Sequence, residues 1–230
     1  MLPKWSPEIS TVNWENDVYA KGLQKNLWPF SEVVSVFTRE RRQNSANPTL
    51  LEIGSGTGNN LWFLGESGFK ISGIEYSQTA VDFSTNRLTT LGIHADIRQG
   101  TIYLLPWRDE TFDYVLDRAV LAHSTYSEIS LALSEIERVL RPNGKIFSFT
   151  LFGLKHPDRK HGEEVETGTY DYFSEGVFAT SGRSTFFDES IIEKLFRNFK
   201  NLEIRRQVEF KDDSLMSEYF TVSGTKKDLA

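Results

Sequence analysis

The chain has 230 residues, a formal net charge of −6 and no cysteine. The lack of cysteine excludes disulfides and thiolate zinc sites, and the negative charge disfavours attraction to nucleic acid backbones. Because no window is long and apolar enough to cross a bilayer and the first residues carry no apolar leader, we expect a soluble, cytoplasmic protein without a nucleic acid, membrane or metal partner.

The first 48 residues predict a helical cap. They are rich in aromatic side chains, including Trp14 and Tyr19, and Val33 and Phe37 recur at helical spacing. We interpret this segment as a small layer laid on the domain that follows.

The most informative segment is LLEIGSGTGNN, residues 50–60. A short apolar run ends there in glycines at alternate positions, Gly54, Gly56 and Gly58, and a helical pattern begins at Leu61. Glycine permits positive φ and close approach of a ligand to the main chain, and a helix start offers free N–H groups. This order of strand, glycine loop and helix predicts a site for a nucleotide-like ligand.

A second apolar run, residues 71–74, ends in Glu75, which lies 21 residues beyond Gly54. A carboxylate in this place accepts hydrogen bonds from both hydroxyls of a ribose. The dinucleotide pattern G-x-G-x-x-G requires a glycine where this chain has Asn59, and the spacing here is G-x-G-x-G instead. A ribose is therefore indicated, a diphosphate much less so.

The next segments alternate between helix and strand patterns. Ser77 is placed to cap a helix that ends at Gly92, and a later helix covers about residues 127–140. Further strands are predicted over residues 93–99, 112–117 and 146–151. This alternation predicts a parallel sheet with helices on both faces and a ligand crevice at the carboxyl ends of its strands.

The region after residue 151 departs from the alternation. Residues 152–186 form a long, aromatic-rich connection of the kind that often serves as a lid or binding loop. Its rings either line a ligand pocket or only cover the edge of the core; they are Tyr170, Tyr172, Phe173 and Phe178. Residues 187–199 predict an amphipathic helix, and the two strand patterns after it are linked too closely to be parallel.

At these positions the chain resembles the class I S-adenosylmethionine-dependent methyltransferases, whose first motif has the form E/D-x-G-x-G-x-G. Glu52 and the three glycines fall on that motif, and Glu75 falls on the acidic residue that ends the family's second strand. The resemblance covers about residues 50–151. It implies an α/β fold with a Rossmann-like, doubly wound sheet of seven strands, mostly parallel with an antiparallel last strand, and S-adenosyl-L-methionine as the cofactor.

One domain over residues 1–230 is the simplest organisation, since no repeat or linker divides the chain. Within it we distinguish a helical cap (1–48), a cofactor-binding core (49–151), an acceptor-side insertion (152–186) and a terminal helix with antiparallel strands (187–230).

The resemblance also suggests which residues hold the cofactor. Glu75 would bind the ribose hydroxyls and Tyr76 would lie against the adenine. Many relatives have an acidic residue for the adenine amino group where this chain has Thr101, so backbone contacts there would replace it. The predicted set is Glu52, Gly54, Ser55, Gly56, Gly58, Asn60, Glu75, Tyr76, Ser77, Thr101, Ile102, Asp117 and Arg118.

Catalytic groups are predicted less directly. An oxygen or nitrogen acceptor must lose a proton to a general base, and His123 and Asp117 are the candidates near the end of the fourth strand. The alternative for His123 is a packing histidine at a helix start. The predicted acceptor contacts are Trp14, Tyr19, Tyr170, Tyr172 and Phe173.

The leading hypothesis is a methyltransferase that acts on an oxygen, nitrogen or sulfur nucleophile of a small molecule by in-line displacement, as a monomer or homodimer. One alternative is a protein that binds S-adenosylmethionine without catalysis. Another is a nucleotide-dependent oxidoreductase, which Asn59 and the antiparallel tail argue against.

Overall fold

The computed structural model describes residues 10–43 and 47–227. The helices are α1 (Ser31–Gln43), α2 (Asn59–Glu66), α3 (Gln78–Thr90), α4 (Tyr126–Val139) and α5 (Glu189–Leu195). The strands are β1 (Thr49–Ile53), β2 (Lys70–Glu75), β3 (Ala95–Gln99), β4 (Phe112–Arg118), β5 (Leu140–Gly153), β6 (Glu163–Glu166), β7 (Thr169–Asp171), β8 (Ser184–Phe187), β9 (Phe199–Lys211) and β10 (Ser214–Lys226).

The first five strands form the parallel part of the sheet in the order β3-β2-β1-β4-β5. Four of the five residues of β1 and five of the six of β2 are buried, as expected for strands covered on both faces by helices. The chain runs outward from β1 to β3 and then returns to β4 on the other side of β1. This reversal opens a crevice at the carboxyl ends of β1 and β4.

The last two strands complete the predicted seven-stranded sheet. β10 pairs antiparallel with β5, and β9 pairs antiparallel with β10. The predicted doubly wound, mostly parallel sheet with an antiparallel last strand is therefore confirmed. Three short strands extend it: β8 pairs with the end of β5, and β7 and β6 follow at the edge.

Side-chain caps set several helix boundaries. Ser77 accepts a hydrogen bond from the Ala80 N–H and begins α3, as the sequence predicts. Asp188 accepts from the Ile191 N–H at 2.9 Å, so α5 starts at Glu189 and is shorter than the predicted helix over residues 187–199.

The N-terminal cap has two described parts. In α1, the ring of Phe37 packs edge-on against three aromatic rings of the core and is fully buried. Before α1, a short π-helical segment, Trp14–Tyr19, is fixed to the start of α3 because Glu15 accepts hydrogen bonds from Ser77 and Thr79. The remainder of the predicted cap, residues 1–9 and 44–46, lies outside the described residues.

Across residues 10–43 and 47–227, no helix combines the length and the apolar character needed to cross a membrane.

Candidate active site

A cavity of about 1090 Å³ lies at the carboxyl ends of the parallel strands. Its wall contains the loop after β1, the ends of β2 and β4, and the second half of β5. Most of the residues predicted from the sequence line it: Trp14, Tyr19, Glu52, Gly54, Ser55, Gly56, Asn60, Glu75, Tyr76, Thr101, Ile102, Arg118 and His123.

The glycine loop leaves no room for side chains at two of its positions. Gly54 has φ +58°, and a Cβ atom there would lie 2.2 Å from Cγ2 of Val120. Gly56 has φ +51°, and its Cβ would lie 2.9 Å from the hydroxyl oxygen of Tyr19. The loop thus offers bare main chain to the cavity, as a ligand that contacts backbone N–H groups requires.

We expect Gly54→Ala to lower the free energy of unfolding by about 1–3 kcal/mol, since both the positive φ and the contact with Val120 are unfavourable. Gly92→Ala is the matched control, because Gly92 has φ +72° but nothing within 4 Å of the added Cβ. Urea unfolding of both variants separates strain from steric overlap. Equal losses in the two variants would contradict the steric argument.

Glu75 closes the loop from the end of β2. Its Oε2 accepts a hydrogen bond from the Gly56 N–H and its Oε1 accepts one from the Ser77 N–H, both at 2.9 Å. The residue is only 7% exposed, and burial raises its pKa. Each carboxylate oxygen has a further lone pair, so Glu75 can accept hydrogen bonds from a ligand in the cavity while it holds the loop.

Glu52, on β1 just before the loop, is a second buried carboxyl group of the cavity wall. Its Oε1 accepts a hydrogen bond from Nδ2 of Asn60 at 2.7 Å, and Oδ1 of Asn60 accepts one from the Phe30 N–H. Oε2 of Glu52 has no hydrogen-bond partner among the described residues, and burial raises the pKa of this carboxyl group to about 8. This oxygen is itself buried, and an unpaired buried carboxyl oxygen in a residue that lines a cavity is a group that a cationic ligand would satisfy.

His123 lies at the other side of the cavity, on the turn after β4. Its Nδ1 is 2.6 Å from the carbonyl oxygen of Arg183, which can only accept, so Nδ1 carries the proton and Nε2 keeps its lone pair. Burial lowers the pKa of His123, and the rings of Trp14 and Phe152 lie 5.9 and 5.5 Å from its ring. The geometry is that of a neutral imidazole able to accept a proton.

Asp117 is not part of the cavity wall, contrary to the prediction. Its Oδ2 accepts from the Ser148 hydroxyl at 2.6 Å, and its Oδ1 accepts from the N–H groups of Val120 and Leu121. The side chain is fully buried, and burial raises its pKa to about 6. Asp117 instead fixes the turn that brings Val120 against Gly54 and carries His123.

Several other predicted residues also lie away from the wall. Ser77 is buried because it caps α3, and Gly58 packs against Ser84. The insertion residues that face elsewhere are Tyr170, which packs on Phe186, Tyr172, which is 61% exposed, and Phe173, which packs on Phe178. Phe178 lines the cavity.

Tyr19 lines the cavity but lies over the glycine loop, since its hydroxyl is the atom nearest to a Cβ on Gly56.

The cavity also has residues that sequence reasoning missed. Many of them belong to the N-terminal segment, residues 10–39, and four belong to the last two strands. The strand residues are Arg205, Gln207, Tyr219 and Thr221, and Tyr103, Phe152 and Arg183 also line the cavity. Arg205 and Gln207, and likewise Tyr219 and Thr221, are two residues apart in a strand pattern. This spacing indicates that each pair lies on one face of the terminal hairpin. The sequence did not reveal that this face turns toward the glycine loop.

Residues 51–148 match a family model described as methyltransferase domain. The chain is 30% identical to an uncharacterised methyltransferase of Staphylococcus carnosus over 149 aligned residues. These residues make up 64% of this chain and 64% of that protein. It is 25% identical to a sterol 4-C-methyltransferase of Caenorhabditis elegans over 130 aligned residues. These cover 56% of this chain and 38% of that protein. The chain thus spans less than two thirds of the length of these curated relatives.

Solved structures share the fold at low sequence identity. An S-adenosylmethionine-dependent methyltransferase of Methanosarcina mazei has a TM-score of 0.69 at 18% identity, with 87% of this chain and 99% of that chain covered. The 1,6-didemethyltoxoflavin-N1-methyltransferase of Burkholderia thailandensis, solved with 1,6-didemethyltoxoflavin and S-adenosylhomocysteine, has a TM-score of 0.64 at 16% identity over 86% of this chain and 78% of that chain. At this identity the likeness concerns the fold alone.

Proposed function

We propose that this chain, a class I S-adenosylmethionine-dependent methyltransferase, transfers a methyl group from S-adenosylmethionine to a nucleophilic atom of a small molecule. The domain match over residues 51–148 and the fold support the family. The observation that carries the proposal is the pair of buried carboxyl groups, Glu52 of β1 and Glu75 of β2, beside the glycine loop at the switch point of the sheet.

The two carboxyl groups suit different parts of the cofactor. Glu75 accepts hydrogen bonds from the ribose hydroxyls, with the lone pairs that the N–H groups of Gly56 and Ser77 do not use. The unpaired Oε2 of Glu52 accepts from the ammonium group of the methionine part. Tyr76, Thr101 and Ile102 line the adenine end, and the loop main chain supplies the remaining donors.

The chain's own residues orient the acceptor and remove its proton. When bound, S-adenosylmethionine supplies a methyl group on a positively charged sulfur that leaves as a neutral thioether. Because that leaving group is good, alignment and exclusion of water are the main demands on the protein. Trp14 and Phe178 supply apolar cover, and Nε2 of His123 takes the proton that the attacking oxygen or nitrogen loses.

We expect cofactor binding to release a proton. Without the cofactor, burial raises the pKa of Glu52 to about 8, so its carboxyl group is mostly protonated at pH 7. A bound ammonium group favours the ionised carboxylate, so the proton leaves when the cofactor binds. The affinity for S-adenosylhomocysteine should therefore rise as the pH increases from 6 to 7.5, by at most about tenfold per pH unit. Calorimetry in buffers of different ionisation enthalpy measures the released proton, and Glu52→Gln should remove it. A pH-independent affinity in the parent would contradict this assignment.

The function is tested in two stages. Calorimetry with S-adenosylhomocysteine and NAD should give binding for the first and none for the second, since the loop lacks the third glycine of the dinucleotide pattern. The protein is then incubated with tritiated-methyl S-adenosylmethionine and a bacterial small-molecule extract. Label in a small organic product supports the proposal, whereas binding without transfer to any molecule would make the chain a cofactor-binding protein only.

A further inference from the structure

A row of residues crosses the sheet at the edge of the cavity, on the side away from Glu52 and Glu75. Arg118 of β4 lies beside Phe149 of β5, and Thr221 of β10 lies beside Arg205 of β9. All four line the cavity. Since neighbouring strands are about 4.8 Å apart, the two arginines flank a floor about 14 Å wide.

A β-bulge connects the two halves of this row. The register of β5 with β10 passes from Leu151–Phe220 to Ser148–Val222, so Phe149 and Thr150 together face Thr221. Thr150 has φ +65°, which is unusual for a β-branched residue. Successive strand residues ordinarily face opposite sides, but here both Phe149 and Thr150 line the cavity. The bulge thus puts an aromatic ring and a hydroxyl group side by side on the floor.

The terminal hairpin adds a polar wall to this floor. Its cavity face consists of two cross-strand pairs, Tyr219 with Gln207 and Thr221 with Arg205. Arg206 faces the other side, where it pairs with Glu218. The four hairpin residues that line the cavity therefore combine hydrogen-bond donors with one cation and include no carboxylate, although Glu203, two residues before Arg205, pairs with it.

Helix α1 brings a second cation to the cavity. Glu32, Ser35, Val36 and Arg39 share one stripe of this helix, and all line the cavity. Glu32 forms an ion pair with Arg118, which also lies over the ring of Phe30. Arg39, in contrast, is exposed and makes no hydrogen bond or ion pair to any residue in the described ranges. Among the described residues Arg205 forms an ion pair only with Glu203, and both side chains are about two-thirds exposed. Exposed pairs of this kind exchange partners readily.

From this distribution of charge we infer that the hairpin wall and α1 bind an anionic group of the acceptor, a carboxylate or a phosphate, through Arg205 and Arg39. The inference deepens the proposed function, since it names the class of molecule that the same cavity accepts. The protein as a whole has a net charge of −6, so an arginine-lined wall is not its average surface. Guanidinium groups bind carboxylates and phosphates with paired hydrogen bonds, and the anion stays bound while a different atom of the acceptor is methylated.

The test uses simple anions, citrate and pyrophosphate, in calorimetry on protein saturated with S-adenosylhomocysteine at constant ionic strength. We expect at least one of them to bind, and Arg205→Gln and Arg39→Gln each to weaken that binding about tenfold or more. Arg42→Gln and Lys211→Gln are matched controls, because both residues are exposed, carry the same charge and lie outside the cavity wall. Citrate binding alone points to a carboxylate, and pyrophosphate binding alone to a phosphate.

No heat with either anion, or equal weakening in the controls and the cavity variants, would overturn the anion site. Failure of the proposed function looks different: S-adenosylhomocysteine would give no heat, while the anions, titrated into the free protein, would still bind in a manner that depends on Arg205 and Arg39. Thermal unfolding of each variant verifies that the fold is retained.

Discussion

Replacing Glu75 by alanine is expected to weaken the binding of S-adenosylhomocysteine about 100-fold. The carboxylate is the one group at the end of β2 that can accept both ribose hydroxyls, and hydrogen bonds to a charged acceptor contribute about 1.5–3 kcal/mol each. The loss of two such bonds, about 3 kcal/mol, corresponds to about a hundredfold in affinity. Calorimetry at pH 7.5 measures it directly.

The control for this variant is Glu66→Ala, which removes the same charge from an exposed position at the end of α2. Glu75→Gln should have an intermediate affinity, since an amide keeps one acceptor oxygen but places donors against the N–H groups of Gly56 or Ser77. Urea unfolding shows whether the glycine loop stays in place without the carboxylate. An affinity within about twofold of the parent in a folded Glu75→Ala protein would remove Glu75 from the cofactor site.

Local sequence signals predicted the part of the cavity wall that contains the glycine loop and Glu75. The glycine spacing, the carboxylate at the end of the second strand and the Ser77 cap each involve residues close in the chain, where backbone conformation follows from residue type. Parallel strands joined by helices then bring these segments to one edge of the sheet. The position of the crevice could therefore be derived before any coordinates were known.

The wall formed by the terminal hairpin depends on contacts between residues far apart in the chain, which local sequence patterns do not predict. Tyr170 and Phe173 were expected at the cavity because residues 152–186 were read as an open loop. Instead the segment contains three short strands, and the register of β7 with β8 turns Tyr170 toward Phe186. Arg205 and Tyr219 come to the cavity because β10 pairs with β5, a partner more than 60 residues away along the chain.

The role of Asp117 illustrates the same limit. A carboxylate at a strand end is a reasonable site residue, since crevices form there. Its acceptor capacity is used by Ser148 and by two N–H groups of the turn that follows, and only the coordinates reveal these partners. The prediction named both His123 and Asp117 as candidate bases near this strand end, and of the two only His123 lines the cavity.

Replacing His123 by glutamine is expected to lower turnover about 100-fold or more, with the affinity for S-adenosylhomocysteine within about twofold of the parent. Glutamine can still donate a hydrogen bond to the Arg183 carbonyl, but it has no basic nitrogen, and a positioned general base contributes about 10²–10⁴ in rate. Turnover is measured with the acceptor identified by tritium transfer. His94→Gln is the control, because His94 is exposed and is not part of the cavity wall.

The pH dependence of turnover supplies a separate check on His123. Burial lowers the pKa of its imidazole below the usual value near 6.5, so the ring is neutral and able to accept a proton throughout the neutral range. Turnover at saturating cofactor should stay level from pH 8 to pH 6.5 and fall only below that, as the ring becomes protonated. The fall should be absent from the residual activity of His123→Gln, because that variant has no imidazole to protonate. Parent-like turnover in His123→Gln would leave His123 a packing residue between Trp14 and Phe152.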